Sequence, residues 1–363
     1  MHAIPQDELG QRVLLNGLEQ VGPVTVRRLL EAFEGNLFKA LSANLMTLEK
    51  IKGVSAKAAA SIVARDFDWE KEIRQTAQHG FQIITTTSAT WPLALAPLWD
   101  PPLVLYVDGQ ALPDQRAIAI IGSRHCTPYG AQLAKKMAQV LASQGWWIIS
   151  GLARGIDTWA HQGAIEAGGK TAAVLGHGLD LTYPPEAYSL RQKMVQQGCV
   201  LSEFPLGRTA DRQSFPQRNR LVASLARAVV VIETDVDGGS MITARFAGEL
   251  GKTICAVPGR IDSPSSRGCH ALIRDGATLV SSAEEVLEEL GEPTNQTTLP
   301  LQPTDPNPEF APWLKFFAGG TPHDADSLAI AAACTTVEAA TIITLLEIRG
   351  RLCRRPDGRH EQA

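Results

Sequence analysis

Apolar and polar positions follow different rhythms along the chain. Over residues 1–80 the runs Leu14–Leu18, Val26–Phe33, Leu45–Ile51 and Ala56–Ala64 have helical apolar spacing and are broken by Gly and Pro, which predicts a small helical domain. Over 81–290 short β-branched or apolar stretches predict strands: Ala117–Ile121, Trp147–Ile149, Thr171–Leu175, Cys199–Leu201, Val229–Ile232, Thr253–Val257 and Thr278–Val280. Amphipathic segments lie between most of them, among them Gly130–Ser143, Thr158–Ala167 and Gln217–Ala226. Such alternation, with strands apolar at nearly every position, predicts an α/β domain: a doubly wound, mostly parallel sheet covered on both faces. Residues 291–309 are rich in Pro, Thr and Asn without an apolar period and read as a linker. The last domain, 310–363, opens as a short helical tail and ends in the basic stretch Arg349–Arg355.

A doubly wound sheet binds ligands beyond the carboxyl ends of its strands. The first of the seven strands is followed by Gly122-Ser123-Arg124, the second by Ser150-Gly151-Leu152-Ala153-Arg154-Gly155, the third by Gly176-His177-Gly178. Ser202-Glu203 follows the fourth, Glu233 and then Gly238-Gly239-Ser240-Met241-Ile242-Thr243 the fifth, and Pro258-Gly259-Arg260 the sixth. Glycine lets a backbone approach a ligand, helix N-termini offer free N–H groups, and arginine supplies a fork that fits phosphate. Glycines confined to tight turns are the plain alternative for any one loop, but their recurrence at successive strand ends favours an anion cradle.

Dinucleotide binding is excluded, because G-x-G-x-x-G is missing after the first strand and Ser150 stands where a ribose-binding acid belongs. A P-loop is excluded too, because Gly251-Lys252-Thr253 lacks the upstream glycine and strand. The segment Gly207–Arg220 carries Arg208, Arg212, Arg218 and Arg220 around Phe215, with Asp211 as its acid. Arginine interleaved with an aromatic suits a single strand, through phosphate neutralisation and base stacking. A solvated loop with Phe215 as a core anchor is the other reading. Asp157 is placed to cap the helix that follows it, and His161, one turn on, lacks a nucleophile or metal cluster to serve. Glu203 and Glu233 form either a carboxylate pair or acceptors for loop N–H groups.

The 363 residues suffice for two or three domains, and 44% hydrophobic with 20% charged residues is an ordinary globular balance. A net charge of −4 runs against a nucleic-acid binder, so any such site is local, and 208–227 supplies the basic region. The six cysteines are scattered without C-x-x-C, which argues against a metal site or a disulfide framework. The N-terminus lacks the pattern of a signal peptide, and no apolar stretch has the length of a membrane span. A cytoplasmic protein without metal or cofactor is expected.

The stretches IAIIGSRHCTPYG, IISGLARGIDTWAH, AAVLGHGLDLTYP, VLSEFPLG, FPQRNRLVASLA, VVVIETDVDGGSMITARFAGELGK, AVPGR and GCHALIRDGATLV resemble, in order over about 118–280, the DNA-processing protein A (DprA/Smf) family. The resemblance implies a Rossmann-like core that binds single-stranded DNA, dimerises and delivers the strand to the RecA recombinase in natural transformation, with no catalysis. Its implied DNA-binding positions are Gly122, Ser123, Arg124, Ser150, Gly151, Arg154, Gly155, Arg212, Phe215, Arg218, Asn219, Arg220, Gly239, Ser240 and Thr243, with Arg208 as the alternative to Arg212. Asp237-Gly238-Gly239-Ser240 departs from the family's S-G-S lead. Leu18–Thr25 and Leu48–Ser55 are similar to helix-hairpin-helix turns, and Ser327–Gly350 resembles a winged-helix end. The second helix of that end is too poor in basic residues for duplex DNA, so it reads as a protein-interaction or packing module. The rival is a phosphoribohydrolase of the Lonely Guy type, but its catalytic Glu is replaced by the run Thr243-Ala244-Arg245.

Overall fold

The computed structural model describes residues 2–110, 112–113, 116–293, 310–355 and 358–362. They fall into two compact units, Met1–Thr294 and Asn295–Ala363.

The first unit opens with six helices: α1 (Glu8–Gly17), α2 (Pro23–Ala32), α3 (Leu37–Ser42), α4 (Leu45–Glu49), α5 (Ala56–Ala64) and α6 (Trp69–Gln78). Most start on a polar cap. Asp7, Asn36, Asn44, Ser55 and Asp68 each accept a hydrogen bond from a first-turn N–H, which satisfies a donor the helix itself leaves open. The α/β part then runs β1 (Gln82–Thr85), β2 (Val104–Gly109), β3 (Ala117–Gly122), α7 (Pro128–Ser143), β4 (Trp147–Ser150), α8 (Ile156–Glu166), β5 (Thr171–Leu175), α9 (Tyr188–Gln197) and β6 (Cys199–Ser202). It continues through α10 (Ser214–Leu225), β7 (Ala228–Ile232), α11 (Gly239–Glu249), β8 (Thr253–Ala256), α12 (Arg267–Arg274), β9 (Thr278–Leu279) and α13 (Ala283–Glu289).

These strands form one sheet in the order β1-β2-β6-β5-β4-β3-β7-β8-β9. From β6 to β9 every pairing is parallel, so the expected doubly wound, Rossmann-like sheet is present. The apolar pattern reached these seven strands but not β1 and β2, which pair antiparallel at one edge. β1 is four residues long and half-exposed at its start, too short for its own pattern to declare it.

Apolar layers cover both faces of the sheet. One buried cluster joins Leu14, Leu41 and Leu48 of the N-terminal helices to Tyr106, Leu175 and Val200 of the sheet side. On the opposite faces Ile118, Ile148 and Val230 pack under α7 and α8, and Ile149, Val174 and Val229 pack under α10 and α11. Helices α1–α6 and the sheet therefore share a core.

After α13, Gly291 turns the chain at φ +67°, and most of the expected linker of 291–309, residues 294–309, lies outside the described residues. The second unit contains α14 (Ala311–Leu314), α15 (Ala325–Ala332), α16 (Thr336–Ile348) and a hairpin of β10 (Leu352–Arg354) with β11 (His360–Gln362). Thr335 and Glu338 form a capping box at the start of α16, and Phe310, Phe317, Leu328 and Leu346 make the unit's own core. No single helix among the described residues is long and apolar enough to cross a membrane.

Candidate nucleic-acid interface

The strand order reverses at β3. β4, β5 and β6 lie to one side of it and β7, β8 and β9 to the other, so the loops after β3 and β7 leave in opposite directions and a crevice opens between them. A cavity of about 440 Å³ occupies this crevice. Its walls bring together most of the residues that the sequence singled out: Gly122, Ser123 and Arg124 after β3, and Gly151 after β4. Arg212, Phe215, Arg218 and Asn219 come from α10 and its approach, and Gly239, Ser240 and Thr243 from the first turn of α11.

The glycines turn out to do different jobs. A Cβ on Gly122 would lie 1.8 Å from the Ile232 carbonyl, one on Gly155 (φ +76°) 2.2 Å from the Ser123 carbonyl, and one on Gly151 2.0 Å from the Arg218 guanidinium. These three let protein approach protein. Gly239 has nothing within 4 Å of its missing Cβ, and it alone of the four faces the open cleft in the way expected of a ligand-facing glycine.

Three expected site residues are occupied elsewhere. Ser150 is fully buried and its hydroxyl donates to the Ile120 carbonyl at 2.7 Å, tying β4 to β3 beneath the cleft. Arg220 lies two residues beyond Arg218 on α10 and so points to another side of the helix. Its guanidinium is buried, donating to Glu203 at 2.7 Å and to Asp100 at 3.0 Å. Arg154 is exposed and forked onto Glu186 at 2.5 and 3.3 Å, beside a second, smaller cavity.

Two exposed arginines reach the cleft without an ion pair among the described residues. Arg124 is exposed, and its guanidinium carbon lies 4.7 Å above the Phe215 ring. Arg212 is exposed and lines the cavity. Arg208, the alternative position, is bound to Asp211 at 2.5 Å. Phe215 itself is half-buried and belongs to none of the apolar clusters, so it does not anchor the core. The floor is Arg218, packed beneath Gly151 and donating to the Val174 carbonyl. Burial lowers its pKa to about 10, against the opposing pull of the Asp157 carboxylate, and leaves it cationic at neutral pH.

The flanking acids are structural. Asp157 does not cap α8, whose N-cap is Gly155; its carboxylate reaches back to accept from the Gly151 and Ala153 N–H groups at 3.0 and 3.3 Å. Burial raises its pKa although Arg218 pulls the other way. Glu233 accepts from the Thr127 N–H at 2.7 Å and from the Thr127 hydroxyl, while Glu203 holds Arg220, so the two are not a catalytic pair. His161 is fully buried against the Thr171 hydroxyl at 2.7 Å, and burial lowers its pKa to about 3. No group of three metal-ligating side chains occurs among the described residues.

Sequence reasoning missed the smaller cavity, about 150 Å³, on which Arg124, Arg154, His177, Tyr183 and Phe215 converge. Gly176-His177-Gly178 was visible as a strand-end loop. Nothing in the linear order placed Tyr183 6.1 Å from the Phe215 ring.

The model of the DNA recombination-mediator protein A family matches residues 82–291. The chain is 35% identical to Protein Smf of Synechocystis over 75% of its own length and 70% of that protein's. It is also similar to the X-ray structure of DNA processing protein A from Streptococcus pneumoniae, with TM-score 0.66 and 34% identity over 77% of this chain and 95% of that one. DNA processing protein A from Helicobacter pylori, whose structure concerns its single-stranded DNA binding mode, aligns with TM-score 0.52 and 31% identity over 58% of this chain and 95% of that one. On this match of sequence and overall structure, the chain belongs to the DNA recombination-mediator protein A family, whose members include the proteins called DprA and Smf.

Proposed function

We propose that this protein binds single-stranded DNA in the cleft between the ends of β3 and β7, protects it and passes it to the RecA recombinase during natural transformation and recombination. It acts as a cytoplasmic homodimer joined through the Rossmann-like core and catalyses no reaction. The observation that carries this reading is Phe215: a half-buried ring, outside every apolar cluster, on the wall of a cleft that also holds Arg124, Arg212 and Arg218. A ring of this kind offers a stacking face to an unpaired base, and the arginines neutralise the phosphates. The single-stranded DNA binding mode of the Helicobacter pylori relative supports the same substrate.

In this reading Gly122, Ser123, Gly151 and Gly155 shape the cleft. Arg124, Arg212, Arg218, Asn219, Gly239, Ser240 and Thr243 face the strand, and Arg154 flanks it. Residues 1–80 act as a helix-hairpin-helix layer, and 310–363 act as a winged-helix-like module for protein contact. A phosphoribohydrolase reading finds no support in the cleft. Its lining carboxylates are Asp157, buried against loop N–H groups, and Asp235, held by Arg267 at 3.0 Å.

The test is a comparison of strands. A duplex hides its base faces, so a single strand binds more tightly than a blunt duplex of equal length at the same salt. Equal affinity removes the stacking cleft. Release of free base from nucleoside monophosphates would establish the enzyme instead. Light scattering of the full chain and of residues 1–294 reads the dimer; a monomer at micromolar concentration in both removes it.

A further inference from the structure

The smaller cavity lies against Phe215, the residue that also lines the main cleft, so one ring is shared between two adjoining spaces. Tyr183 stands near that ring at an interplanar angle of 45°, and Arg124 and Arg154 stand at the rim. The buried polar group in this cavity is His177, 2% exposed. Its Nδ1 lies 2.9 Å from the Gly178 carbonyl, which can only accept, so Nδ1 carries the proton. Burial holds the pKa of His177 below the ordinary histidine value, outweighing the carbonyls of Gly178 and Tyr183 that favour the charged ring. The ring is neutral, and Nε2 is a bare acceptor that meets no hydrogen-bond partner among the described residues. A buried acceptor left unmet is costly. A bare acceptor takes a hydrogen from an N–H donor, and an –NH2 group has two hydrogens to give.

We propose that the cavity behind Phe215 is a second base subsite, in which His177 Nε2 reads the exocyclic amino group of a nucleobase. The nucleotide seated there adjoins the one in the main cleft, with the phosphate between them near Arg124. Cytosine is the smallest natural base with this group; uracil, of the same ring size, has a carbonyl in its place. The inference rests on the single-strand reading above and adds a base preference to it.

Binding of the full chain to oligo(dC) and oligo(dU) of equal length at pH 8 tests it, because the two strands differ only at the base edge. The expected result is tighter binding of oligo(dC), about fivefold or more, as the loss of one buried hydrogen bond gives. His177→Leu should bring oligo(dC) down to oligo(dU) and leave oligo(dU) unchanged. Oligomers of N4,N4-dimethylcytosine, which lack both amino hydrogens, should bind the unaltered protein like oligo(dU), a measurement that needs no variant to fold. Equal affinity of the unaltered protein for oligo(dC) and oligo(dU) overturns the subsite and leaves single-strand binding standing. A preference that survives dimethylation, or that survives in a folded His177→Leu protein, also overturns it. Failure to bind either strand overturns the single-strand reading itself.

Discussion

The guanidinium carbon of Arg124 lies 4.7 Å above the centre of the Phe215 ring, and Arg124 forms no ion pair among the described residues. A cation over an aromatic face at an exposed position is worth about 0.5–1 kcal/mol, enough to orient the fork and too little to hold the fold. In the proposed site this places a guanidinium for an incoming phosphate beside a ring for an incoming base.

Removing that fork should be felt in binding and not in folding. Arg124→Ala is expected to weaken single-strand binding at all sequences alike. It should also make the dependence of log affinity on log salt shallower by roughly 0.7, the share of one neutralised phosphate. The melting temperature should move by no more than a few degrees. A large fall in melting temperature with an unchanged salt slope would show that Arg124 serves the fold alone.

Arg220 should behave in the opposite way. Its side chain and that of its partner Glu203 are each 3% exposed, and Asp100 completes the group. Truncating one member leaves a buried charge without its counter-charge, at a cost of about 3–5 kcal/mol. Arg220→Ala should lower stability to denaturant by that order, and the fraction that stays folded should keep the salt slope of the unaltered protein. A stable Arg220→Ala with a shallower slope would return Arg220 to the DNA surface.

The glycines separate by the same logic. Gly122→Ala forces a methyl against the Ile232 carbonyl, where β3 and β7 pair, and should cost several kcal/mol, at or above ~3. Gly239→Ala meets open space at the start of α11 and should leave the stability within about 0.5 kcal/mol of its starting value. Thermal denaturation of the two variants side by side checks this. Equal losses would mean that the two loops are packed alike.

His161 gives the fold a dependence on acid. Its pKa in the folded protein is about 3, against 6.5 for a free ring, because burial opposes the charge. As pH falls below 6.5 the unfolded chain takes up a proton that the folded one refuses, so stability drops with falling pH through the window from 6.5 to 3. Between pH 7 and pH 5 this amounts to about 1–2 kcal/mol. Urea denaturation at the two pH values should show the loss, and His161→Gln should reduce it. An identical pH slope in the folded variant would mean that His161 is not the group that titrates.

Much of this was legible in the linear sequence. Near-continuous apolar runs such as Thr171–Leu175 and Val229–Ile232 can be satisfied only with cover on both faces, so they declared the parallel sheet and, with it, the strand ends where the loops Gly122–Arg124 and Gly239–Thr243 gather. The stretch around Phe215 stood out by its composition, four arginines around one aromatic. The edge strand β1 was not legible, because four residues carry too little pattern and its pairing to β2 is a long-range choice.

The tertiary structure alone decided which of several like side chains face the cleft. Arg208, Arg212, Arg218 and Arg220 are equivalent in composition, yet one is bound to Asp211, one lines the cleft without an ion pair among the described residues, one forms the floor and one is locked to Glu203. Part of that sorting follows from the α-helix itself: residues two apart point about 200° away from each other, so Arg218 and Arg220 cannot share a face. The rest depends on Glu203 and Asp100, which lie far from Arg220 in sequence and reach it only when β6 and the loop after Trp99 are in place. A charge is free or spent according to its neighbours in space, and for these arginines the neighbours come from strands and loops that only the folded sheet brings alongside.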